Sequence, residues 1–439
     1  MVYEALRALI AALLAVFYRR VEVVGVERVP RHGPLIVAGN HQNALVDPMV
    51  VMAALPRALR PVAKAPLFRH PLIAPFLKLV GAIPVERRQE AGAGPLRNEA
   101  AFATVADALG RGGAILIFPE GGSQPEPVLM PLRTGTARMM AAATAAGMRV
   151  TLLPVGLVFH EPGTFRTGRA LVIVGEPVDV ADLSTGGEAG IRTVTERLAA
   201  ALRAVMVEAQ NRDTLRLLSL LETIAAEGAA RDAASRAAWM RGAIETYRRL
   251  QTTAPERAER FRIEVERYAK DLELAGVTPT QPGRTYRAGA VWRFTLREGI
   301  ALAGGLPAAL VGMVLHVLPY QATALAVRWL TDDADMAATY KLLAGAVLYP
   351  LLWAAETWLG WWLGGVPLAL AVVLAIVPTG FFALTWRDRL ARFAREARAF
   401  TRFLVDRDLD RQLAARREAI RAEMGALRRL ADDTRPAGG

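Results

Sequence analysis

The chain has 439 residues, more than one typical domain, and 53% of them are hydrophobic, so we expect two or three structural regions. It contains no cysteine, which excludes disulfide bonds, thiolate metal sites and a cysteine nucleophile. The formal net charge of +12 indicates an anionic partner, either nucleic acid or the anionic face of a membrane.

The N-terminal segment 4–20 predicts a short apolar helix flanked by arginines. Its uncharged run is shorter than the roughly 20 residues that a bilayer crossing requires. It also lacks the small-residue cleavage site of a signal peptide. We therefore expect residues 1–20 to form an interfacial helix, or one that docks on the next domain.

Residues 21–205 alternate short apolar runs with helical patterns, which is typical of an α/β domain. Several runs are almost continuously hydrophobic, as expected for strands of a sheet that is covered on both faces. The predicted strands are 21–26, 34–39, 114–118, 150–159 and 170–175, with helices between them, for example at 98–110 and 134–147.

The rest of the chain is helical by pattern. Residues 206–285 predict a helical hairpin that ends in a linker rich in proline and glycine. Residues 387–439 predict a basic helical tail, because arginine outnumbers the acidic residues there.

Residues 286–386 predict a membrane region. Within it, 342–386 is long enough for two crossings joined by a turn at Gly364–Pro367. The apolar run 299–327 contains two prolines at which we expect it to break, as a re-entrant or interfacial element would. Arginine-rich segments on both sides favour an even number of crossings, because positive flanks prefer the cytoplasm; three crossings remain the alternative. Since no nucleic-acid-binding module accompanies the charge, membrane lipid is the expected partner.

Metal and serine chemistry find no support in the sequence. None of the five histidines has the i, i+4 spacing that places two ligands on one helix face. The stretch "GGSQP" begins like a nucleophile elbow, but proline stands where that motif needs glycine.

His41 follows the predicted strand 34–39, at the end where α/β proteins tend to place their sites. His41 could act as a general base, with Asp47 orienting its ring. The alternative is structural: Asp47 caps a helix, Pro48 occupies its first turn, and His41 is a surface residue. The pair alone does not decide between these interpretations.

Three further stretches favour a site for a phosphate-bearing substrate. They are "GAIPVERR" (81–88), "IFPEGGSQPEP" (117–127) and "PLRTGTARM" (131–139). They combine arginine with glycine-rich backbone, which together can bind phosphate through guanidinium groups and free N–H groups.

Taken in order, these stretches resemble the motifs of the glycerolipid acyltransferase family, which has a PlsC-like α/β fold. The motif N-H-x-x-x-x-D resembles "NHQNALVD", and G-x-I-x-V-x-R is matched by "GAIPVER". F-P-E-G is matched by "FPEG", and a fourth motif, an apolar strand with proline, resembles "LLPVGL". The likeness covers about residues 20–180.

The resemblance implies a role for each matching residue. His41 would be the catalytic base and Asp47 its partner. The residues implied to bind the phosphate and glycerol of the acceptor are Arg87, Glu120, Gly121, Arg133 and Lys64. Pro119 and Pro154 would belong to the acyl-site and structural positions of the motifs. The family implies no metal and no cofactor.

One spacing departs from the usual family pattern. Five residues, rather than four, separate His41 from Asp47. This form is similar to a branch that includes fungal glycerol-3-phosphate/dihydroxyacetone-phosphate acyltransferases, and the step Phe165–Thr167 is similar to that branch too. The acceptor is therefore open between glycerol-3-phosphate and its 1-acyl form, and the helix start must shift if Asp47 is to reach His41.

The expectation from the resemblance is a membrane-bound O-acyltransferase of phospholipid synthesis. It would use acyl-CoA or acyl carrier protein as donor, in the cell (inner) membrane with its domain on the cytoplasmic side. Two alternatives stand beside it. One is an acyltransferase for a non-phosphate lysolipid or aminolipid, and the other is an inactive, membrane-anchored interaction protein.

Overall fold

The computed structural model contains two compact units. The described residues are 2–18, 20–71, 73–86, 96–124, 126–159, 169–183, 187–208, 212–226, 231–284, 288–331 and 334–433. The first unit comprises Met1–Leu215, Ala233–Arg241 and Thr331–Leu343, and the second comprises Arg216–Asp232, Gly242–Leu330 and Ala344–Gly439.

Within the described residues, the first unit is built on a seven-stranded mixed sheet. Its strands are β1 (Arg20–Val24), β2 (Leu35–Gly39), β3 (Leu59–Lys64), β4 (Ile83–Val85), β5 (Ala114–Ile117), β6 (Thr151–Phe159) and β7 (Arg169–Val174). Their order across the sheet is β1-β7-β6-β2-β5-β3-β4. Neighbouring strands run parallel, except that β6 and β7 are antiparallel.

Helices occupy most of the remaining described chain. They are α1 (Val2–Phe17), α2 (Val46–Ala54), α3 (Ala74–Leu79), α4 (Leu96–Gly110), α5 (Gly135–Ala145), α6 (Gly187–Val205), α7 (Arg212–Ala225), α8 (Ala233–Thr253), α9 (Pro255–Ala275), α10 (Ala288–Leu330), α11 (Ala334–Val405) and α12 (Arg407–Asp433). Short 3-10 turns lie at Val26–Arg28, Ala65–Arg69 and Ala181–Leu183.

Apolar layers cover both faces of the sheet. Leu35 and Val37 of β2 belong to a core cluster with α1 and α2. Ile36 and Ala38, which point the other way, belong to a second cluster with α4, α5 and α6. Successive side chains of a strand alternate between faces, so a strand buried on both faces must be continuously apolar, as β2 is.

The prediction of an interfacial N-terminal helix needs correction. Leu6, Ile10 and Leu14 lie on one side of α1 and are buried in the same cluster as β2 and α2. The docking alternative is therefore the one observed, because the apolar face of α1 is already covered by the domain.

The sequence patterns missed the strands β3 and β4. Each contains a proline, Pro61 and Pro84, and proline lowers the expectation of a strand because it cannot donate to the ladder. The sheet accommodates both, since β4 lies at its edge and β3 pairs with β5 through its first half and with β4 through its second.

The predicted hairpin at 206–285 is wrong in its helix count. The described residues of this region form three helices, α7, α8 and α9, and only Ala254 separates the last two. Proline at the first position of α9 explains the sharp restart, because its fixed φ suits a helix start but not a helix interior.

In the second unit, α9 pairs with the basic tail helix α12. Buried residues recur every seven positions in both helices: Ala258, Val265 and Leu272 in α9, and Leu413, Ile420 and Leu427 in α12. This spacing is typical of a coiled-coil seam, and the two ion pairs between the helices show that they run antiparallel. Arg257 pairs with Glu423 at 2.7 Å across the helices, and Arg416 pairs with Glu264 at 2.8 Å.

Among the described residues, two helices are long and apolar enough to cross a membrane, Gly289–Leu330 and Thr339–Val405. The expected breaks in the first are wrong, because α10 continues through Pro307 and Pro319. In α11 the backbone leaves the helical conformation at Gly364 and Gly365, where the sequence predicts a turn. The number of crossings stays a prediction.

Candidate active site

The site is built where parallel strands of the sheet end. Ala38 of β2 lies opposite Ile117 of β5, and Lys64 of β3 lies opposite Val85 of β4. Because β3 also pairs in parallel with β5, the carboxyl ends of all four strands meet at one edge. This edge of an α/β sheet is where ligands commonly bind.

The predicted residues distribute along that edge. His41 follows β2 by two residues, Glu120 follows β5 by three, and Lys64 is the last residue of β3. Lys64 takes part in polar interactions with the protein. Arg87 lies two positions beyond the end of β4 but outside the described residues, as does the 165–167 step.

His41 and Asp47 form a close pair. The His41 Nδ1 lies 2.8 Å from the Asp47 Oδ2, with Asp47 fully buried and 18% of the His41 side chain exposed. The same Oδ2 accepts hydrogen bonds from the backbone N–H groups of Gln42 at 2.6 Å and Asn43 at 2.8 Å. If the neutral ring carries its proton on Nδ1, as donation to this carboxylate requires, its Nε2 is an acceptor.

The extra residue of the motif is absorbed in a tight turn. Ala44 has a φ of +37°, a left-handed conformation that is strained for a residue with a Cβ atom. The Val46 N–H then donates to the Asn43 carbonyl at 2.8 Å, and α2 begins at Val46. The turn therefore brings Asp47 to His41 without lengthening the distance between them.

Three contacts fix the position of the His41 ring. The preceding residue, Asn40, is fully buried and bonds to both the N–H and the carbonyl of Leu157 in β6, at 2.6 and 3.0 Å. The His41 N–H donates to the Glu120 Oε1 at 2.8 Å. The ring itself stacks on Phe118, with centroids 4.2 Å apart and planes 16° apart.

Glu120 is buried, and both of its carboxylate oxygens accept hydrogen bonds from backbone N–H groups. It is 5% exposed, and its second oxygen accepts from the Met130 N–H at 2.9 Å. Burial raises the pKa of Glu120 to about 7, although the hydrogen bonds from Met130 and His41 oppose this shift. Both oxygens of Glu120 thus hold the backbone at His41 and the backbone at Met130 together.

Gly121 provides room for Arg133. Its φ is +71°, and a Cβ atom there would lie 2.7 Å from the Arg133 Nε. The Arg133 guanidinium therefore lies across Gly121, while its backbone N–H donates to the Pro119 carbonyl at 2.8 Å. The Arg133 side chain is exposed, and it has no hydrogen bond or ion pair with any described residue. The Gly121 N–H is already used by the Phe118 carbonyl at 3.0 Å, so it is not free for an oxyanion.

Pro154 has a structural place. It lies in β6 opposite Ala38 of β2, and its carbonyl accepts from the Gly175 N–H at 2.9 Å. Both contacts tie β6, the strand beside the His41 loop, into the sheet.

The sequence patterns missed Thr339. This residue lies in the part of α11 that belongs to the first unit, it is 1% exposed, and its Oγ1 accepts from the Leu45 N–H at 3.1 Å. Its neighbour Tyr340 lies near His70, with hydroxyl and Nε2 3.4 Å apart. Further along, Leu342 is buried in the same cluster as α2. No local motif marks Thr339, because its partner is 294 positions away.

Polar atoms with no partner lie beside the pair. Asn43 is 1% exposed, and within the described part of the chain neither its Oδ1 nor its Nδ2 has a hydrogen-bond partner. The Asp47 Oδ1 likewise has no hydrogen-bond partner in the described part of the chain. Over the same residues, no group of three or more histidine, aspartate or glutamate side chains could hold a metal ion.

The fold and this site can now be compared with known classes of protein. Residues 20–158 match the family model described as Acyltransferase. The first unit therefore contains a PlsC-like α/β acyltransferase domain, followed by a mostly helical region with two long apolar helices. The fold class and the family resemblance predicted from the motifs are confirmed.

Named relatives are similar to parts of the chain. An uncharacterized acyltransferase of Schizosaccharomyces pombe is 25% identical over 313 residues, 49% of this chain and 46% of the relative. Glycerol-3-phosphate O-acyltransferase 2 of Saccharomyces cerevisiae is 41% identical over 85 residues, 19% of this chain and 11% of the relative. The 1-acyl-sn-glycerol-3-phosphate acyltransferase of Bacillus subtilis is 29% identical over 167 residues, 37% of this chain and 76% of the relative.

The likeness spans less than half the length of both fungal relatives. Among solved structures, the 1-acyl-sn-glycerophosphate (LPA) acyltransferase PlsC of Thermotoga maritima matches with a TM-score of 0.36 and 20% identity. That match covers 46% of this chain and 78% of the other.

Proposed function

We propose that the chain transfers a fatty acyl group from a thioester donor to a hydroxyl of a glycerol phosphate. The observation that carries this proposal is the His41–Asp47 pair at the strand ends of an acyltransferase domain. The acceptor would be glycerol-3-phosphate or its 1-acyl derivative, since relatives named for each are similar to this domain. The donor would be acyl-CoA or acyl carrier protein.

The geometry supports general-base catalysis without a protein nucleophile. The acceptor hydroxyl attacks the thioester carbonyl while the His41 Nε2 takes its proton. Asp47 holds the ring through Nδ1 and stabilises the imidazolium that forms. The tetrahedral intermediate then collapses, and the C–S bond breaks. The departing sulfur takes the proton from His41, which leaves an ester, a free thiol and a neutral histidine.

Charge and unpaired polar atoms support the assignment of the acceptor. Arg133 is an exposed guanidinium near the pair, and such a group suits bidentate contact with phosphate. We propose that Arg133, Lys64 and Arg87 bind the acceptor phosphate. Asn43 would bond to the glycerol part, because its amide has no partner in the described chain. Glu120 and Gly121 would act as positioning residues, holding His41 and Arg133 respectively.

Membrane attachment of the chain is supported by the nature of the proposed donor and by the helices α10 and α11. An acyl chain is apolar, so a site that opens towards lipid avoids exposing it to water. Many large apolar side chains of both helices are exposed, as expected for lipid-facing surfaces. We propose that they hold the domain on the cytoplasmic side of the cell membrane, where arginine-rich flanks are favoured.

The test is an acyl-transfer assay of the purified full chain with labelled acyl-CoA. It compares glycerol-3-phosphate, its 1-acyl derivative and a phosphate-free lysolipid. His41→Ala should abolish transfer, whereas His32→Ala, which removes an exposed histidine of the same domain, should leave it unchanged. Substantial acyl transfer by His41→Ala would refute the mechanism. An undiminished rate on the phosphate-free lysolipid would refute the proposal that the acceptor must carry a phosphate.

A further inference from the structure

The second unit contains a cavity of about 720 Å³ at the end of its apolar helical segments. The uncharged segment of α10 begins at Gly299, and the uncharged segment of α11 ends at Trp386. The charged residues that line the cavity lie just beyond these two points, at Arg297 and Glu298 and from Arg389 onwards. The cavity therefore lies where the helix surfaces change from apolar to charged, the level of lipid headgroups for a helix in a bilayer.

The lining divides into a cationic and an aromatic part. Four arginines and two glutamates line one part. Phe294, Phe393 and Trp386 line the other, with the two phenylalanine rings 6.1 Å apart. A ligand that matches both parts has an anionic head and an apolar body.

The internal ion pairs leave two arginines available. Glu298 is already bound by Arg389, at 2.6 and 3.3 Å, and by Arg297 at 3.1 Å. Arg392 and Arg395 have no hydrogen bond or ion pair with any described residue. The other glutamate of the lining, Glu396, pairs with Arg284 at 3.8 Å. Two neighbouring guanidinium groups without an ion pair to a described carboxylate attract an anion, and their planar N–H forks match phosphate oxygens.

Gln281 adds an unpaired donor. This residue lines the cavity and is 1% exposed. Its Oε1 accepts from the Thr278 N–H at 2.7 Å, but its Nε2 has no partner in the described chain. A buried donor without an acceptor is unfavourable, and a phosphate or ester oxygen in the cavity would satisfy it.

We infer that this cavity binds the phosphate headgroup of an anionic glycerophospholipid, with Arg392 and Arg395 on the phosphate and the aromatic wall on the glycerol backbone and chain. This second lipid site goes beyond the proposed function, because it lies wholly in the second unit and needs no acyl transfer. Free phosphate compounds share the headgroup chemistry but would leave the aromatic wall uncovered.

The experiment is native mass spectrometry of the full chain released from phosphatidylcholine nanodiscs that contain a minor fraction of phosphatidate. Wild type should retain phosphatidate in preference to phosphatidylcholine. The double variant Arg392→Gln/Arg395→Gln should lose affinity by about tenfold or more, as expected when hydrogen bonds to a charged group are lost. The matched control Arg398→Gln/Arg402→Gln removes the same charge from exposed positions of the same helix that do not line the cavity, and should bind like wild type.

Two further arms separate the possible sources of phosphate. Inorganic phosphate and glycerol-3-phosphate, added at concentrations that saturate the acyltransferase site, should not displace the lipid. Displacement by either would overturn the lipid assignment in favour of a soluble phosphate. An equal loss of phosphatidate affinity in the cavity and control variants would overturn the proposal that the cavity is the binding site. The same holds if wild type shows no preference for phosphatidate. His41→Ala should retain the lipid, which keeps this result separate from the proposed catalysis.

Discussion

Replacing Thr339 by valine removes the acceptor of the Leu45 N–H while keeping a β-branched side chain of similar size. Thr339 and this N–H are both buried, so water does not replace the lost partner. An unsatisfied buried donor costs about 1–3 kcal/mol. Leu45 lies in the turn between His41 and Asp47, next to the strained Ala44, so the cost falls on the segment that positions the His41–Asp47 pair.

The magnitude for catalysis follows from that cost. If the turn relieves the unpaired donor by moving, a difference of about 1–3 kcal/mol lowers the fraction of correctly placed turn by roughly 5- to 150-fold. We expect Thr339→Val to lower kcat by a factor in this range with KM changed little, because Arg133, the arginine proposed to bind the acceptor phosphate, is not touched. Thr339→Ser keeps the hydroxyl and should restore most of the rate.

The assay is steady-state acyl transfer by both variants at several pH values, with thermal unfolding measured in parallel. A purely structural role would lower Tm in Thr339→Val while the rate per folded molecule stayed at the wild-type value. Equal kcat in the valine and serine variants would refute the reasoning, since they differ in the hydrogen bond to Leu45.

Four other changes test single contacts. Asp47→Asn should lower kcat by about 10²- to 10⁴-fold, the range of general acid–base effects, because the His41 ring loses its carboxylate partner. An unaltered kcat would contradict the proposed role of Asp47. Ala44→Gly should raise the free energy of unfolding by about 1 kcal/mol or less, since relief of left-handed strain exceeds the added chain entropy, and chemical denaturation should show this gain. Gly121→Ala forces a Cβ atom against Arg133, so KM for a phosphate acceptor should rise in steady-state assays more than kcat falls; an unchanged KM contradicts the contact. Because the pKa of Glu120 is raised to about 7 in the folded chain, its contribution to stability should fall as pH rises from about 4.5 to 7, and this slope should be missing from the denaturation curves of Glu120→Gln.

Much of the site could be predicted from sequence because it is local. His41 and Asp47 lie six positions apart on a strand end and a helix start, and the FPEG stretch follows its strand directly. Parallel pairing of β2 and β5 then brings these two segments together with no further information. For this reason short motifs sufficed to indicate the class of enzyme and the edge of the sheet.

The contacts that position these motifs could not be predicted in the same way. Glu120 reads as a polar turn residue, but only the packed structure shows both of its oxygens occupied by backbone donors. The docking of α1 depends on which surface its apolar face meets, and an amphipathic pattern is the same for a membrane surface and for a domain. The buried residues of α1 show that its apolar face packs against the domain.

Thr339 shows how the five-residue spacing is tolerated. A longer turn before Asp47 leaves one more backbone donor to satisfy, and a buried donor must find a partner. Here the Leu45 N–H finds it in α11, the helix whose later residues form a long apolar span. The turn between His41 and Asp47 is thus completed by a helix outside the family motifs. It follows that residues 20–205 alone, although they contain every predicted site residue, should be a poorer catalyst than the full chain.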